Sequence, residues 1–431
     1  MKHLFCLVLF TAVVFSSDIN GQNNPVDTND KLPKEELLYP ELVNEFYSLN
    51  GDQLFWIETG LRYKLLERID SAYFSGLIQK KYHFGELRSY VSTSSNDSVT
   101  SKATDRLFTD AAIALCKDLY QGYKMSPWVG YDQLSPEYSN RDNEYLLKSI
   151  LASSTADKFH SLTTSLEPSL PDYIILKNEL KEQQEKGHSD TVRLLLLTIN
   201  YFRWIHHFGF EKFIVVNLPE ARLRYYEKDS AVLDMKTVVG KTSTPSPRFA
   251  TICDQVILYP YWYVPRSITF NEYLPKIKRD PSWIDANNMQ VIDGAGKVMD
   301  HLKMNWASYH AGYFPYTIRQ STGCDNALGV IKFNIISPYG VYLHDTNNKT
   351  AFLSGLRYYS HGCIRIEEPL ELGNKMLYGK LDTTYLQSCF KEKKPEFIKL
   401  EHPVPVFSVY MQVVVDQLGK IHYYKDIYKL R

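Results

Sequence analysis

The residues of this chain best suited to chemistry lie in one stretch, Gly340 to Pro369, reading "GVYLHDTNNKTAFLSGLRYYSHGCIRIEEP". It sets His344 at the end of a strand-like run and Cys363 inside Ser360-His361-Gly362-Cys363. A free cysteine titrates at about 8.5 and is mostly thiol at neutral pH, so it becomes an effective nucleophile only beside a base. An imidazole can take that proton. The fifteen residues between His344 and Ser360 form a polar loop, long enough for the chain to return beside itself. Gly362 lets the backbone approach closely, so the amides of Gly362 and Cys363 could form an oxyanion hole. A lone cysteine or histidine is most often a core residue; this combination in one chain points to cysteine-dependent acyl chemistry.

Cysteine usage and the N-terminus agree with that reading. Lys2 and His3 precede an apolar run from Leu4 to Phe15, too short to span a bilayer but suited to the core of a signal peptide. Residues 1–20 are therefore expected to direct export, with cleavage near Ser17 to Gly21. The rival is an uncleaved membrane anchor. Removing Cys6 leaves Cys116, Cys253, Cys324, Cys363 and Cys389, an odd number, which leaves a thiol free for chemistry. The other four are expected to be buried or disulfide-bonded, with no pairing fixed by the sequence. No CxxC pair or other metal-ligand cluster occurs, so neither metal nor cofactor is expected.

Two textures must position this segment. From Pro33 to His206 the apolar spacing is helical. Leu107, Ala111, Leu115 and Leu119 form one stripe, and Val192, Leu195, Leu196, Ile199 and Phe202 another. No group of acids, bases and nucleophiles gathers there, so 21–210 is expected to be a helical scaffold. From Glu211 short β-rich runs such as "KFIVVNLP", "ICDQVILYP" and "GVIKFNII" alternate with turns, which predicts an antiparallel sheet system or barrel over 211–380. The strand rhythm breaks between Arg266 and Ile318. That irregular stretch carries Trp283, Trp306, Tyr309, Tyr313, Phe314 and Tyr316 and is expected to form a lid that balances transfer against hydrolysis. Residues 381–431 should add a β-hairpin that completes the sheet domain, turning at Gln417 to Lys420. The fold class is α+β and multidomain. Lys+Arg and Asp+Glu both number 49, so no basic excess exists to hold a nucleic acid backbone.

The motif residues resemble a known family. His344, the fifteen-residue spacer and "SHGC" are similar to the active-site pattern of L,D-transpeptidases with a YkuD-type catalytic domain. "DMKTVVGK", "YPYWYVPRSI", "NALGVIKF", "SHGCIRIEEP", "LFWIETG" and the closing "GKIHYYKDIY" resemble, more narrowly, the large YcbB-like branch that carries a helical scaffold domain. The small peptidoglycan-binding module of some members looks absent, since only "KEQQEKGHSD" separates two helices, and Thr322 stands where a proline is common.

The resemblance implies a peptidoglycan enzyme of the periplasm and a carbapenem target. Cys363 would attack the third-residue carbonyl of a tetrapeptide stem, release D-Ala and pass the acyl group to an amine, giving 3→3 cross-links. His344 would be the base, with His361 tuning or assisting the site. Arg365 and Arg357 flank the cysteine, where either could hold a substrate carboxylate or bridge structurally. Ser360, Tyr342 and Asn326 are further candidates for the cleft. The partners implied are peptidoglycan stem peptides, with cell-wall proteins beside them and a monomeric enzyme. Two alternatives stand: a carboxypeptidase or cross-link hydrolase using water as acceptor, and a catalytically silent peptidoglycan-binding protein. A papain-like or NlpC/P60-like peptidase would place cysteine first and histidine downstream, the reverse of this order.

Overall fold

The computed structural model describes residues 36–93, 101–123 and 128–430, so the expected signal segment lies outside the described residues. Leu38–Arg431 forms one unit. Eight helices come first: α1 Pro40–Leu49, α2 Thr59–Asp70, α3 Phe84–Thr93, α4 Lys102–Gln121, α5 Ser135–Ala152, α6 Ala156–Ser165, α7 Pro171–Glu185 and α8 Ser189–His206. Helix α4 starts at an N-cap, Ser101, whose side chain accepts the Thr104 amide. Phe108, Ala111, Ala112, Leu115 and Leu119 are buried along it.

Three carboxylates are also buried on α4, and each has partners that justify its place. Asp105 accepts the amides of Phe55 and Trp56 and the Tyr47 hydroxyl. Asp110 accepts the amides of Leu38 and Tyr39 and meets His83. Asp118 accepts from Lys81 and the Tyr82 hydroxyl. The helix therefore anchors loops as well as helices. Among the largest buried side chains, Arg203 of α8 ties the bundle together through the Ser75 carbonyl and Glu167.

The strands follow in a different regime, except for β1 Tyr131–Asp132, which lies between α4 and α5 and pairs with β5 Phe249–Leu258. β2 Lys212–Asn217, β3 Arg222–Glu227, β4 Ser230–Gly240 and β5 precede an insertion. That insertion holds β6 Trp262–Tyr263, β7 Met289–Ile292 and β8 Thr317–Gln320. After it come β9 Ile331–Ile335, β10 Leu343–His344, β11 Tyr358–Ser360, β12 Ile364–Ile366, β13 Glu396–Val409, β14 Val413–Val415 and β15 Ile421–Tyr423. The large sheet runs β5-β13-β2-β3-β4-β12-β10-β9, and β9 pairs back onto β5, so it closes as a barrel. Closure removes open edges. The antiparallel pattern expected of the sheet system is interrupted at β1–β5, β2–β13, β4–β11 and β10–β12, which are parallel pairs.

The barrel core gathers Ile214, Leu223, Met235, Val256, Ile331, Phe333, Leu343, Ile364 and Ile366. On the outer face of β2, β5 and β13, Phe213, Val215, Ala250 and Phe407 pack against Tyr201, Trp204, Ile205 and Phe208 at the end of α8. Helices and barrel thus share an apolar seam. The C-terminal residues divide differently from the expected hairpin extension. The long strand β13 completes the barrel between β5 and β2. The hairpin β14–β15 instead lays Val413 and Val415 against Tyr173, Leu176, Leu180, Leu195 and Ile199 of α7 and α8.

The insertion is less irregular than its sequence suggests. β6, β8 and β7 form their own three-stranded sheet. Ile268, Leu274, Ile277, Ile284, Val291 and Ile318 form its core with Trp306, Tyr309 and Phe314. Most of the aromatic rings of the expected lid are therefore packed inside the insertion; Tyr313 is exposed.

Candidate active site

The spacing between His344 and Ser360 has a structural cause. Parallel strands cannot be joined by a tight turn; they need a crossover of roughly a dozen residues or more. β10 and β12 are such a pair, with Leu343 beside Ile364 and His344 beside Arg365. The Ile364 amide bonds the Tyr342 carbonyl at 3.1 Å. Side chains alternate along a strand, and paired residues share a face. Leu343, Ile364 and Ile366 point into the barrel core. Tyr342, His344, Cys363 and Arg365 consequently share the outer face. On the other flank β9 sets Lys332 beside His344.

His344 is 4% exposed. Its Nδ1 meets the backbone carbonyl of Asp345, which can only accept. Nδ1 therefore carries the proton and Nε2 presents the lone pair a general base needs. Burial, reinforced by the nearby cations of Arg365 and Lys332, drives its pKa down to about 3. The imidazole is neutral across the physiological range. Cys363 is a free, half-buried thiol, and burial raises its pKa. Tyr342, Lys332 and Arg365 oppose that rise. The resting pair is thus neutral thiol and neutral imidazole, and charge develops as the thiol attacks.

The cations are poised for an anion. Among the described residues Arg365 makes no ion pair, and its buried Nε lacks a hydrogen-bond partner. The Lys332 ammonium lies 3.9 Å from the centroid of the Tyr342 ring. Burial lowers its pKa, and Cys363 pulls it back up. Lys332 was missed in the sequence because a lysine alternating with Ile331, Phe333 and Ile335 is an ordinary outer-face residue until the register is known.

Other expected residues are brought nearby but serve as supports. Gly362 has φ +117°, a backbone state that disfavours any side chain. Its amide donates to Ser360 Oγ at 3.1 Å, so it is engaged and does not serve the expected oxyanion hole. Ser360 is buried and also donates to the Cys363 carbonyl at 2.6 Å; it buckles the turn and does not line the cleft. Ser246, unremarked in the sequence, donates to the Gly362 carbonyl at 2.7 Å. Arg357 directs its guanidinium to the carbonyls of Thr237, Ser354, Glu220 and Ala221, which makes it a structural clasp and not a substrate ligand. Asn326 is buried and donates to the carbonyls of Pro260 and Ser321, stapling the two ends of the insertion. His361 is half-exposed, and its Nε2 lies 2.8 Å from Glu272 Oε1 on the insertion.

Cys324 and Cys389 form a disulfide, while Cys116 and Cys253 are buried free thiols. The disulfide pins the loop after β8 to the segment that precedes β13. In the same loop Thr322 is buried and donates to the Lys393 carbonyl.

Residues 211–385 match the L,D-transpeptidase catalytic domain (YkuD), and residues 41–180 match the Scaffold domain. This chain carries an L,D-transpeptidase catalytic domain behind a helical scaffold domain. It is 33% identical over 220 residues to a putative L,D-transpeptidase of Haemophilus influenzae. That match covers 51% of this chain and 44% of the relative, so the chain spans under half of the relative's length. Among solved structures it is similar to an L,D-transpeptidase from Mycobacterium smegmatis, at 13% identity and TM-score 0.24, covering 46% of this chain and 58% of that one. It is also similar to the catalytic domain of an E. faecium L,D-transpeptidase acylated by ertapenem, at 14% identity and TM-score 0.23, covering 46% and 97%.

Two predictions test the site of this L,D-transpeptidase domain. Gly329 has φ +59°, and a Cβ there would overlap the Asp345 carboxylate, which accepts the Val330 amide at 3.0 Å. Gly329→Ala should cost about 1–3 kcal/mol in backbone strain alone and displace the residue that orients His344. Thermal unfolding and iodoacetamide labelling of Cys363 should both suffer, whereas Gly294→Ala, with open space around it, should leave both unchanged.

The second concerns pH. A His344 pKa of about 3 predicts no inflection near 6.5 in the Cys363 alkylation rate, which should rise only as the thiol ionises on the alkaline side. Lys332→Met should shift that rise to higher pH, because a cation that favours the thiolate is gone. The same depressed histidine makes folding weaken as pH falls below 6.5. There the unfolded chain takes up a proton that the folded chain refuses until about 3.

Proposed function

We propose that this chain is an exported, cysteine-dependent L,D-transpeptidase acting on peptidoglycan stem peptides. The observation that carries this reading is a free thiol, Cys363, on the same strand-paired face as a neutral histidine whose Nε2 is available as a base. In the first step the thiol proton passes to His344 Nε2. Sγ bonds the third-residue carbonyl of a tetrapeptide, the C–N bond to D-Ala breaks, and His344 returns the proton to the leaving amine. A thioester remains on Cys363. An acceptor amine then attacks it, forming a 3→3 cross-link and releasing the thiol. Arg365, a half-buried cation that pairs with no carboxylate among the described residues and whose Nε has no hydrogen-bond partner there, suits the donor's terminal carboxylate. The disulfide supports export, since such bonds persist in oxidising compartments.

The deciding test is incubation with a defined disaccharide-tetrapeptide, read by mass spectrometry. The proposal expects D-Ala release and a cross-linked dimer, together with acylation by a carbapenem. Cys363→Ala should abolish all three, while Cys116→Ala and Cys253→Ala should stay within a few-fold. Tripeptide without dimer would favour the hydrolase alternative. A silent binding protein would give none of these products.

The two arginines should separate cleanly. Arg365→Lys should weaken use of the tetrapeptide by roughly tenfold or more, the size of one lost charge-assisted contact, with little change in melting temperature. Arg357→Lys should lower melting temperature, since its guanidinium holds four backbone carbonyls.

A further inference from the structure

The charges that act on the nucleophile and its base are both positive, Lys332 and Arg365. That suits the carboxylate of a donor. It is the wrong sign for an acceptor amine, which arrives at neutral pH as an ammonium. One anion reaches the motif from outside the barrel. Glu272 lies in the turn Thr269–Tyr273 of the insertion, and its Oε1 meets His361 Nε2 at 2.8 Å, two residues before Cys363. Both side chains are nearly half-exposed, at 43% and 42%, so a solute can reach them. An imidazole N–H donated to Oε1 leaves Oε2 of the carboxylate able to accept from a cation.

Building on the transpeptidase reading above, we infer that Glu272, oriented by His361, is the recognition residue for the cationic amine of the acceptor. The insertion then supplies an ammonium subsite that the barrel lacks, with Arg365 serving the donor's carboxylate and Glu272 the acceptor's ammonium. The acceptor ammonium docks on the carboxylate and loses one proton to water. The free amine attacks the thioester carbonyl; the C–N bond forms and the C–S bond breaks. The second amine proton passes through His344 Nε2 to the departing sulfur. One proton is released overall and the thiol is regenerated. A carboxylate at this place also favours transfer over hydrolysis, because it concentrates the amine beside the thioester while doing nothing for water.

The test uses the full chain with the tetrapeptide donor and two nucleophiles. One is a stem tripeptide bearing a cationic side-chain amine, and the other is hydroxylamine, which is largely uncharged at neutral pH. In Glu272→Gln, which keeps a side-chain oxygen for His361, thioester formation read as acylation by ertapenem should proceed. Dimer formation should fall by about tenfold, the size of one charge-assisted hydrogen bond, and recover at high tripeptide concentration. Capture by hydroxylamine should not fall. Glu272→Asp should restore part of the dimer yield. An unchanged ratio of dimer to hydrolysed tripeptide in Glu272→Gln would overturn the inference. Equal losses with both nucleophiles, or loss of ertapenem acylation in both variants, would make Glu272 a prop for the insertion and overturn it as well. If the unaltered chain neither releases D-Ala nor is acylated, it is the transpeptidase reading that fails.

Discussion

The parallel pairing of β10 with β12 is the constraint on which the rest of the site depends. It puts His344, on β10, and Cys363, the residue just before β12, on the same face, while the paired Leu343 and Ile364 are locked into the barrel core. A slip of one residue would turn the catalytic face inward and the core face outward. The large apolar cost of that slip is what fixes the chemistry in place. The loop from Asp345 to Tyr359 follows as a consequence, because a parallel pair demands a crossover. So do Gly362 and Ser360, which let the returning chain turn sharply before it joins the sheet.

The same burial that secures the geometry works against the charge the chemistry needs. Desolvation raises the thiol and depresses the imidazole. Lys332 and Arg365 lower the cost of the thiolate, yet they make an imidazolium less welcome. Together these terms keep both partners neutral until a carbonyl is in place, so Nε2 acts as a base during attack instead of storing an ion pair. This arrangement limits stray oxidation or alkylation of Cys363, since the thiolate is the reactive form.

How much of this was legible in the sequence depended on the range of the interactions involved. The pairing of Cys363 with His344 and the change from helix to strand at Glu211 were local signals, carried by motif and periodicity. So was the apolar stripe from Val192 to Phe202, which packs on the C-terminal hairpin. Arg357 and Asn326 have partners that are backbone carbonyls 66 to 137 residues away, which no local pattern shows, whereas Ser360 bonds within its own turn, a local role that its place in the motif masked. Lys332 and Glu272 were missed for the complementary reason: a charge on a strand or helical turn looks ordinary until topology sets it beside His344 or His361. The pairing of Cys324 with Cys389 likewise required the fold.

The insertion poses the remaining physical question, because it has a core of its own, distinct from that of the barrel. Its connection is a narrow neck. Asn326 joins the carbonyls of Pro260 and Ser321, Asn288 bonds the carbonyls of Ser321 and Thr322, and Gln320 bonds the carbonyls of Asn287 and Asp325. The disulfide at Cys324 stiffens the loop just beyond. A body with a separate core and a polar neck can shift as a unit without loss of its internal packing, which a loop of loose aromatic residues could not do. Its hold on the site is then set by a few contacts, of which the Glu272–His361 hydrogen bond is solvent-exposed and individually weak. The contact is nonetheless placed where it can hold the Glu272 carboxylate in one orientation beside the motif. The barrel, with its closed sheet, fixes the face that carries His344 and Cys363, while the insertion, built on its own core, brings an acidic group to the same motif from outside.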